Sequence, residues 1–234
     1  MARLVIEGNI DTTPERWERA VRIIPSCYPP IGLFEDVARP EDLDSVYAVE
    51  AITNDRIQQE VGRLDLVPVD ERISGPGTSP IMAAFTHPKT DGSRFSPGTY
   101  GVYYAAESDE TAVAETRYHR ERLYRHQDIG PQRIQMRAYT GIIEADWVEL
   151  RGKQAEFPEL HDPDSYAASQ PFGEQRREEG AWGIVYDSVR RPGGQCLAVF
   201  RPRACQPVAQ GAHYEYFYDG RAITHVVRLT EIES

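Results

Sequence analysis

Hydrophobic and polar positions along the chain predict a helical first part followed by a part rich in strands. Thr12-Thr13-Pro14-Glu15 has the residue types of a helix start, with a capping threonine, a proline in the first turn and an early glutamate. Prolines then interrupt the pattern at Pro25, Pro29 and Pro30. A second helix is predicted after Pro40, from the apolar residues Leu43, Val46, Tyr47, Val49 and Ile52, with an extension through Ile57 and Val61. We therefore expect residues 1–75 to form a helical N-terminal extension.

Strand patterns begin at about Ile81 and fill most of the remaining chain. The predicted strands are 81–87, 101–106, 133–139, 142–145, 183–187, 195–200, 214–218 and 223–227. Asp219-Gly220 predicts a two-residue hairpin turn before the last of these strands. A long helix capped by Ser108 is predicted over 108–124, and a loop with a short helix over 162–179. The elements indicate an α+β fold with a β-rich core, flanking helices and a separate domain over residues 76–234.

Composition and charge narrow the class of protein. The chain has 234 residues, of which 40% are hydrophobic, and this is enough for a packed core. It contains no apolar run of about 18 residues and no start resembling a signal peptide, so we expect a cytoplasmic protein without a membrane partner. The formal charge of −11 argues against direct nucleic-acid binding, although a local basic pocket could still hold a small anion.

The cysteines offer no chemistry of their own. Cys27, Cys196 and Cys205 are odd in number and widely spaced, without the spacing of metal ligands. We expect reduced thiols and no metal site.

Two segments carry the residues that we consider for a site. Arg94 lies in a loop rich in glycine, proline and serine, where its guanidinium could bind a phosphate with help from Ser93, or could pair with a surface carboxylate. Tyr103 and Tyr104 point to opposite faces of a predicted strand. One of these rings could therefore cover a flat ligand ring while the other packs in the core, or both could pack.

The other candidate side chains are a glutamate, a serine and a histidine. Glu115 lies among small residues on the predicted long helix, where it could meet a ligand or pair with His119 or Arg122. Ser188 follows a predicted buried strand without the sequence of a serine nucleophile, which favours a hydrogen-bonding role. His87, which follows Thr86 at the end of a predicted strand, could bind a ribose or be structural.

In order along the chain, these residues resemble the RES domain, a family named for its arginine, glutamate and serine. The resemblance rests on Arg94-Phe95-Ser96-x-Gly98, the strand 102–108, Ala112-x-x-Glu115, Tyr186-x-Ser188 and Ala198-Val199-Phe200, within about residues 81–202. It implies a fold like that of the ADP-ribosyltransferase toxins. It also implies a toxin of a type II toxin–antitoxin pair, which acts on NAD⁺ and is held by an antitoxin with an Xre-type DNA-binding domain.

The chain departs from the family pattern in two places. The family's usual Gly-Gly-Arg-Trp-Asn loop is here Gly92-Ser93-Arg94-Phe95-Ser96. An arginine often found on the family's first strand has no clear counterpart, since residues 84–87 with His87 occupy the expected position. A histidine there resembles the diphtheria-toxin-type transferases, which use it on the NAD⁺ ribose.

Taken with the resemblance, the residues predict cleavage of the nicotinamide–ribose bond of NAD⁺. Glu115 would stabilise the ribose cation, Arg94 would hold the pyrophosphate and Tyr104 would stack on the nicotinamide, as the catalytic group of side chains. Further contacts to NAD⁺ are expected from His87, Thr86, Ser93, Tyr103 and Ser188. Transfer of ADP-ribose to a protein target is the first interpretation. An NAD⁺ glycohydrolase or phosphorylase is the second interpretation. A third interpretation is not enzymatic: a non-catalytic protein-interaction module.

Overall fold

The fold was analysed in a computed structural model, which describes residues 10–26, 34–35, 39–50 and 61–230. The described helices are α1 (Leu43–Glu50), α2 (Ser79–Thr86), α3 (Asp109–His126) and α4 (Ser169–Glu178). The strands are β1 (Thr12–Pro25), β2 (Tyr103–Ala106), β3 (Gln132–Glu149), β4 (Gly183–Asp187), β5 (Gln195–Val199), β6 (Ala209–Tyr218) and β7 (Ile223–Leu229). Cys27, Pro29, Pro30, Ile52 and Ile57 lie outside the described residues.

The strands form a seven-stranded mixed sheet in the order β1-β2-β5-β4-β3-β6-β7. The long strand β3 pairs with β1 over most of its length, with β6 in its first half and with β4, in parallel, at Val148 and Glu149. Strand β1 also meets β2 at Val21 and Ala106. Because β1 contacts both β2 and β3, five strands close a ring in the order β1–β2–β5–β4–β3–β1. The β6–β7 hairpin continues the sheet from β3, with which β6 pairs.

The sheet packs a hydrophobic core on each face, because successive side chains of a strand point to opposite sides. In β5, Cys196 and Ala198 belong to one core while Leu197 and Val199 belong to the other. Helix α3 covers the first core through Ala112. Helices α1 and α2 cover the second, so the two sets of helices lie on opposite faces of the sheet.

The segment after Thr12 is a strand, so the prediction of a helix there was wrong. Its local signals are those of a helix cap, but the backbone pairs with β3, from Thr12 opposite Val148 to Pro25 opposite Met136. After a register shift between Trp17 and Ala20, buried Val21 and Ile23 alternate with partly exposed neighbours. Long-range pairing has overridden local propensity.

The predicted strand 81–87 was also wrong, since this segment belongs to helix α2. It is a short apolar run in which a proline occupies the first turn and alanine and methionine follow. Such a run does not distinguish a buried strand from a buried helix by periodicity. His87 therefore ends a helix rather than a strand.

Several local predictions were correct, and the α+β class is confirmed. Ser108 caps α3 by accepting a hydrogen bond of 3.2 Å from the Thr111 backbone N–H. A hairpin turn joins β6 and β7 at Asp219-Gly220, although it spans residues 219–222 and not the two residues predicted; Gly220, at φ +98°, and the Asp219 carboxylate shape it. The second predicted helix is present as α1. No helix within the described ranges is long and apolar enough to cross a membrane.

Candidate active site

Glu115 and Ser188 are hydrogen-bonded in the structure. Glu115 lies in the second turn of α3, and Ser188 directly follows β4. The Ser188 hydroxyl donates to Glu115 Oε1 at 2.6 Å. The same hydroxyl accepts hydrogen bonds of 3.1 Å from the backbone N–H groups of Arg190 and Arg191. Because the two N–H groups occupy its acceptor side, the hydroxyl is fixed as a donor to the carboxylate.

The Glu115 carboxyl group is recessed, with 19% of its side chain exposed. Burial raises its pKa above the usual range, while the Ser188 hydrogen bond and the charges of Arg94 and Arg190 oppose that rise. His119 Nε2 lies 4.0 Å from Glu115 Oε2, one helical turn away. A partly desolvated carboxylate near fixed positive charges is suited to stabilise a cation that develops beside it.

Arg94 is buried, and its position is fixed by main-chain carbonyl groups. Its Nη1 donates hydrogen bonds of 3.0 Å to the oxygens of both Leu160 and Asp162. Its guanidinium carbon lies 4.9 Å from the centroid of the Tyr166 ring. Since these partners are neutral, the positive charge of Arg94 is not cancelled by them, and it acts on Glu115.

The loop that carries Arg94 is held by a second set of hydrogen bonds. Ser96 Oγ donates to Tyr100 O at 2.6 Å, and Gly98 adopts φ +102°, a conformation that favours glycine. The Tyr104 hydroxyl accepts from the Phe95 N–H at 3.0 Å and contacts Ser93 Oγ at 2.9 Å. Tyr104 therefore anchors the arginine loop through its hydroxyl, a role that the sequence analysis missed.

Three of the predicted side chains lie on the other side of the sheet from Glu115. Tyr103 is buried in the second core, with the Arg22 guanidinium 4.7 Å above its ring. Thr86 is buried in α2, and its hydroxyl lies 3.0 Å from His87 Nδ1. The structure thus brings Arg94, Ser93, Tyr104, Glu115 and Ser188 to one face, whereas Tyr103, Thr86 and His87 belong to the opposite side.

Positive side chains lie near Glu115 and its neighbour His119, and two of them, Lys89 and Arg190, were not considered in the sequence analysis. Burial lowers the pKa of His119, and so do the charges of Lys89, Arg190, Arg94 and Arg122. The Arg190 guanidinium lies 3.2 Å from the centroid of the Tyr118 ring and donates to Pro163 O. Although the chain is acidic overall, the surroundings of Glu115 and His119 are basic. Of the two missed residues, Arg190 has a signal in the sequence, since it lies two residues after Ser188.

Arg22 is a further side chain that sequence reasoning missed. It lies on β1, and its Nη1 donates to Tyr104 O at 3.1 Å. Burial lowers the pKa of its guanidinium, and its Nε forms no hydrogen bond within the described part of the chain. Arg22 was not considered because its strand was predicted as a helix.

Fold and site together define an α+β protein with a recessed carboxylate, Glu115, near the positive charges of Arg94 and Arg190. The RES domain family model matches residues 70–219, and the chain belongs to the RES domain family. A curated relative, "Uncharacterized protein y4oC" from Sinorhizobium fredii (strain NBRC 101917 / NGR234), is 26% identical over 204 residues, covering 87% of this chain and 84% of the relative.

A solved structure was also found among the similar folds. It is a chain in "Crystal structure of the M.tuberculosis MbcT-MbcA toxin-antitoxin complex", with 12% sequence identity and a TM-score of 0.45. The similarity covers 94% of this chain and 87% of that chain.

Proposed function

We propose that this protein cleaves the nicotinamide–ribose bond of NAD⁺, and that it is the toxin of a toxin–antitoxin pair. The observation that carries the enzymatic proposal is the hydrogen bond of 2.6 Å between Ser188 and the recessed Glu115 carboxylate, which lies near Arg94 and Arg190. Membership of the RES domain family supports the same reaction.

The chemistry requires a negative group beside the reacting ribose. Breaking the bond to nicotinamide leaves positive charge on the ribose ring, and a fixed carboxylate stabilises that charge as it develops. Glu115 is suited to this role, because Ser188 orients one of its oxygens and burial limits its hydration. The second oxygen, Oε2, is left to contact the ribose 2′-hydroxyl.

The pyrophosphate and the nicotinamide ring of NAD⁺ each need side chains that bind them. Arg94 and Arg190 supply positive charge for the pyrophosphate, and arginine suits this role because its planar group forms paired hydrogen bonds to phosphate. The half-buried ring of Tyr104 is proposed to cover the nicotinamide, with its hydroxyl tied to the arginine loop. Tyr103 and Thr86 are buried on the other face, and we assign them a packing role.

The acceptor of ADP-ribose has two candidates. The recessed position of Glu115 favours a small acceptor, such as water or phosphate, since a protein side chain would have to reach past the protein surface to meet a ribose held there. Transfer to a protein target is the second candidate. It is favoured by the residues that precede the RES match, because α1 and β1 add surface to which a macromolecule could dock.

The partner that we propose is an Xre-type antitoxin, as expected for a RES family toxin. A protein that depletes NAD⁺ or modifies a cellular target has to be restrained in its own cell. Co-expression of the neighbouring reading frame should therefore relieve growth arrest caused by this chain.

Nicotinamide release from NAD⁺, measured under three conditions, tests the function and separates the acceptors. Release in buffer alone indicates hydrolysis, release that requires phosphate indicates phosphorolysis, and release that requires cell lysate indicates transfer to a target. In the last case, a protein in the lysate should gain the mass of ADP-ribose. Absence of release under all three conditions, from folded protein free of antitoxin, would overturn the enzymatic proposal.

A further inference from the structure

The connection between β4 and β5 begins with Ser188 and closes on itself. We call residues 188–194 the serine turn. The Ser188 N–H donates a hydrogen bond of 2.8 Å to Gly194 O, and the Gly194 N–H donates one of 3.0 Å to Arg191 O. The backbone N–H groups of Arg190 and Arg191 donate to Ser188 Oγ at 3.1 Å. The direction of the Ser188 hydroxyl therefore depends on the position of the whole turn.

The Glu107 carboxylate, between β2 and the start of α3, joins three segments of the chain. Its Oε1 accepts a hydrogen bond of 2.6 Å from Thr111 Oγ1, in the first turn of α3. Its Oε2 accepts one of 2.7 Å from the backbone N–H of Gln195, the residue that follows the serine turn. The Glu107 N–H donates in return to Gln195 O at 3.1 Å. One carboxylate thus holds together the end of β2, the start of α3 and the end of the serine turn.

The Arg191 side chain attaches the serine turn to the same place. Its Nη1 donates to Thr111 Oγ1 at 3.2 Å and lies 3.6 Å from Glu107 Oε1. The ion pair itself contributes little, because both of its side chains are partly exposed to water. Thr111, by contrast, is completely buried, so its hydroxyl links Arg191 to Glu107 at a point that water does not reach.

The serine turn and α3 fit so closely that there is no room for a side chain at Gly194. A Cβ atom at this position would lie 2.5 Å from Thr111 Oγ1 and 2.9 Å from Thr111 Cγ2. Both distances are shorter than van der Waals contact, so a larger residue at Gly194 has to push the turn away from the helix.

Helix α3 carries both this attachment and Glu115. Thr111 and Glu115 are four residues apart, which is about 6 Å along the helix axis. A movement of the serine turn relative to the first turn of α3 is therefore also a movement of Ser188 relative to Glu115. The hydrogen bond between them is 2.6 Å long, and such bonds weaken steeply when their geometry is lost.

We propose that Glu107 is a positioning residue, whose carboxylate holds the serine turn against α3 and so keeps the Ser188 hydroxyl on Glu115 Oε1. The inference rests on the proposed function, in which Glu115 stabilises the ribose cation. Glu107 does not touch the substrate. It acts on the reaction only through the hydrogen bond between Ser188 and Glu115.

The pKa of Glu115 reports whether Ser188 is in place, and the sign of its change separates positioning from charge. The Ser188 hydrogen bond lowers this pKa, so loss of the bond raises it. Removal of the negative charge of Glu107 has the opposite effect, because a nearby negative charge opposes ionisation of a carboxyl group. The other titratable groups near Glu115 are left unchanged in the test: Arg94, Arg190, His119, Cys196, Tyr166 and Tyr186.

The test measures the pKa of Glu115 by carbon-13 NMR of the full chain, with the signal assigned by its absence from Glu115→Gln. We expect a higher pKa than in the wild type for Glu107→Gln, since glutamine cannot accept at both positions of the carboxylate. The double variant with Ser188→Ala should not exceed Ser188→Ala alone. Glu110→Gln is the matched control, because it removes an exposed negative charge from the first turn of the same helix. It should not raise the pKa.

Two further variants change no charge. Thr111→Val removes the hydroxyl that links Arg191 to Glu107, and Gly194→Ala displaces the turn without removing any polar side chain. Both should raise the pKa of Glu115, and Gly194→Ala keeps the test open if Thr111→Val does not fold. The acid limb of nicotinamide release should move to higher pH in the same variants, with a loss of rate at neutral pH no larger than that of Ser188→Ala.

The outcomes separate this inference from the proposed function. If the wild type releases nicotinamide but the pKa of Glu115 does not rise in Glu107→Gln, the inference is overturned and the proposed function stands. A rise confined to Thr111→Val and Gly194→Ala also overturns it, because Glu107 then does not hold the turn. If the pKa rises as expected but no nicotinamide is released by the wild type, the proposed function fails and the positioning of Ser188 by Glu107 stands.

Discussion

The Ser188 hydroxyl donates a hydrogen bond of 2.6 Å to Glu115 Oε1, across 73 residues of sequence. The bond joins the loop after β4 to the second turn of α3. Because the hydroxyl bonds a carboxylate and two backbone N–H groups, Ser188 orients the carboxylate and is not placed as a nucleophile.

Replacing Ser188 by alanine should move the acid limb of the pH–activity profile to higher pH. Burial raises the pKa of Glu115, and the Ser188 hydrogen bond opposes that rise. Removal of the hydrogen bond therefore raises the pKa further, so that the reactive carboxylate forms only at higher pH. Nicotinamide release at neutral pH should fall about tenfold, the effect of losing about 1.4 kcal/mol. An acid limb that stays in place in Ser188→Ala would contradict the assignment of that limb to Glu115.

Replacing Glu115 by glutamine should abolish activity without lowering stability. The amide has the shape of the carboxylate and can still accept from Ser188, while the cost of a buried charge disappears. Loss of one preorganised electrostatic group costs about 100- to 1,000-fold in rate. Thermal unfolding at pH 8 should give a Tm equal to or above that of wild type. A Tm well below that of wild type would mean that the carboxylate has a structural role.

Tyr104→Phe distinguishes an anchoring hydroxyl from a stacking ring. The variant keeps the ring but leaves the Phe95 N–H and Ser93 Oγ without this partner. We expect a loss of about 1–3 kcal/mol in the free energy of unfolding and a higher KM for NAD⁺, because the Arg94 loop is less fixed. Urea denaturation and steady-state kinetics measure the two effects. If stability and KM both match wild type, the hydroxyl does not anchor the loop.

Truncation of residues 1–75 tests whether the predicted domain 76–234 is independent. Strand β1 belongs to the truncated part, yet it pairs with β3 and buries Trp17, Val21 and Ile23. Burial of three such side chains contributes about 5–9 kcal/mol, comparable to the whole stability of a domain. We expect residues 76–234 alone to show no cooperative thermal unfolding by circular dichroism. A cooperative transition with retained activity would show that β1 is dispensable.

Elements defined by local signals could be predicted from the sequence. Helix α3 has a capping serine, acidic residues in its first turn and basic residues in its last. The β6–β7 hairpin has Asp219-Gly220 at its turn. Strand β1 could not be predicted in this way, because its partner β3 lies more than 100 residues away. For α2, the apolar run is short, and its hydrophobic pattern is equally compatible with a buried helix and a buried strand.

Site residues could be predicted from the sequence only where they belong to motifs that occur in a characteristic order along the chain. Arg94, Glu115 and Ser188 were identified from their sequence contexts, and the structure brings them close together. Arg190 and Lys89 were missed because their positions near His119 arise from tertiary packing. Tyr103 was included because two adjacent tyrosines on a strand face opposite ways, and periodicity alone does not say which of them faces the ligand.

The central claim is tested most directly by nicotinamide release from NAD⁺ by wild type and Glu115→Gln, measured side by side in buffer, with phosphate and with cell lysate. The account predicts release by the wild type in at least one of these conditions, and a rate at least about 100-fold lower for Glu115→Gln at an unchanged or higher Tm. Equal rates for the two folded proteins, or no release by the wild type in any condition, would contradict it.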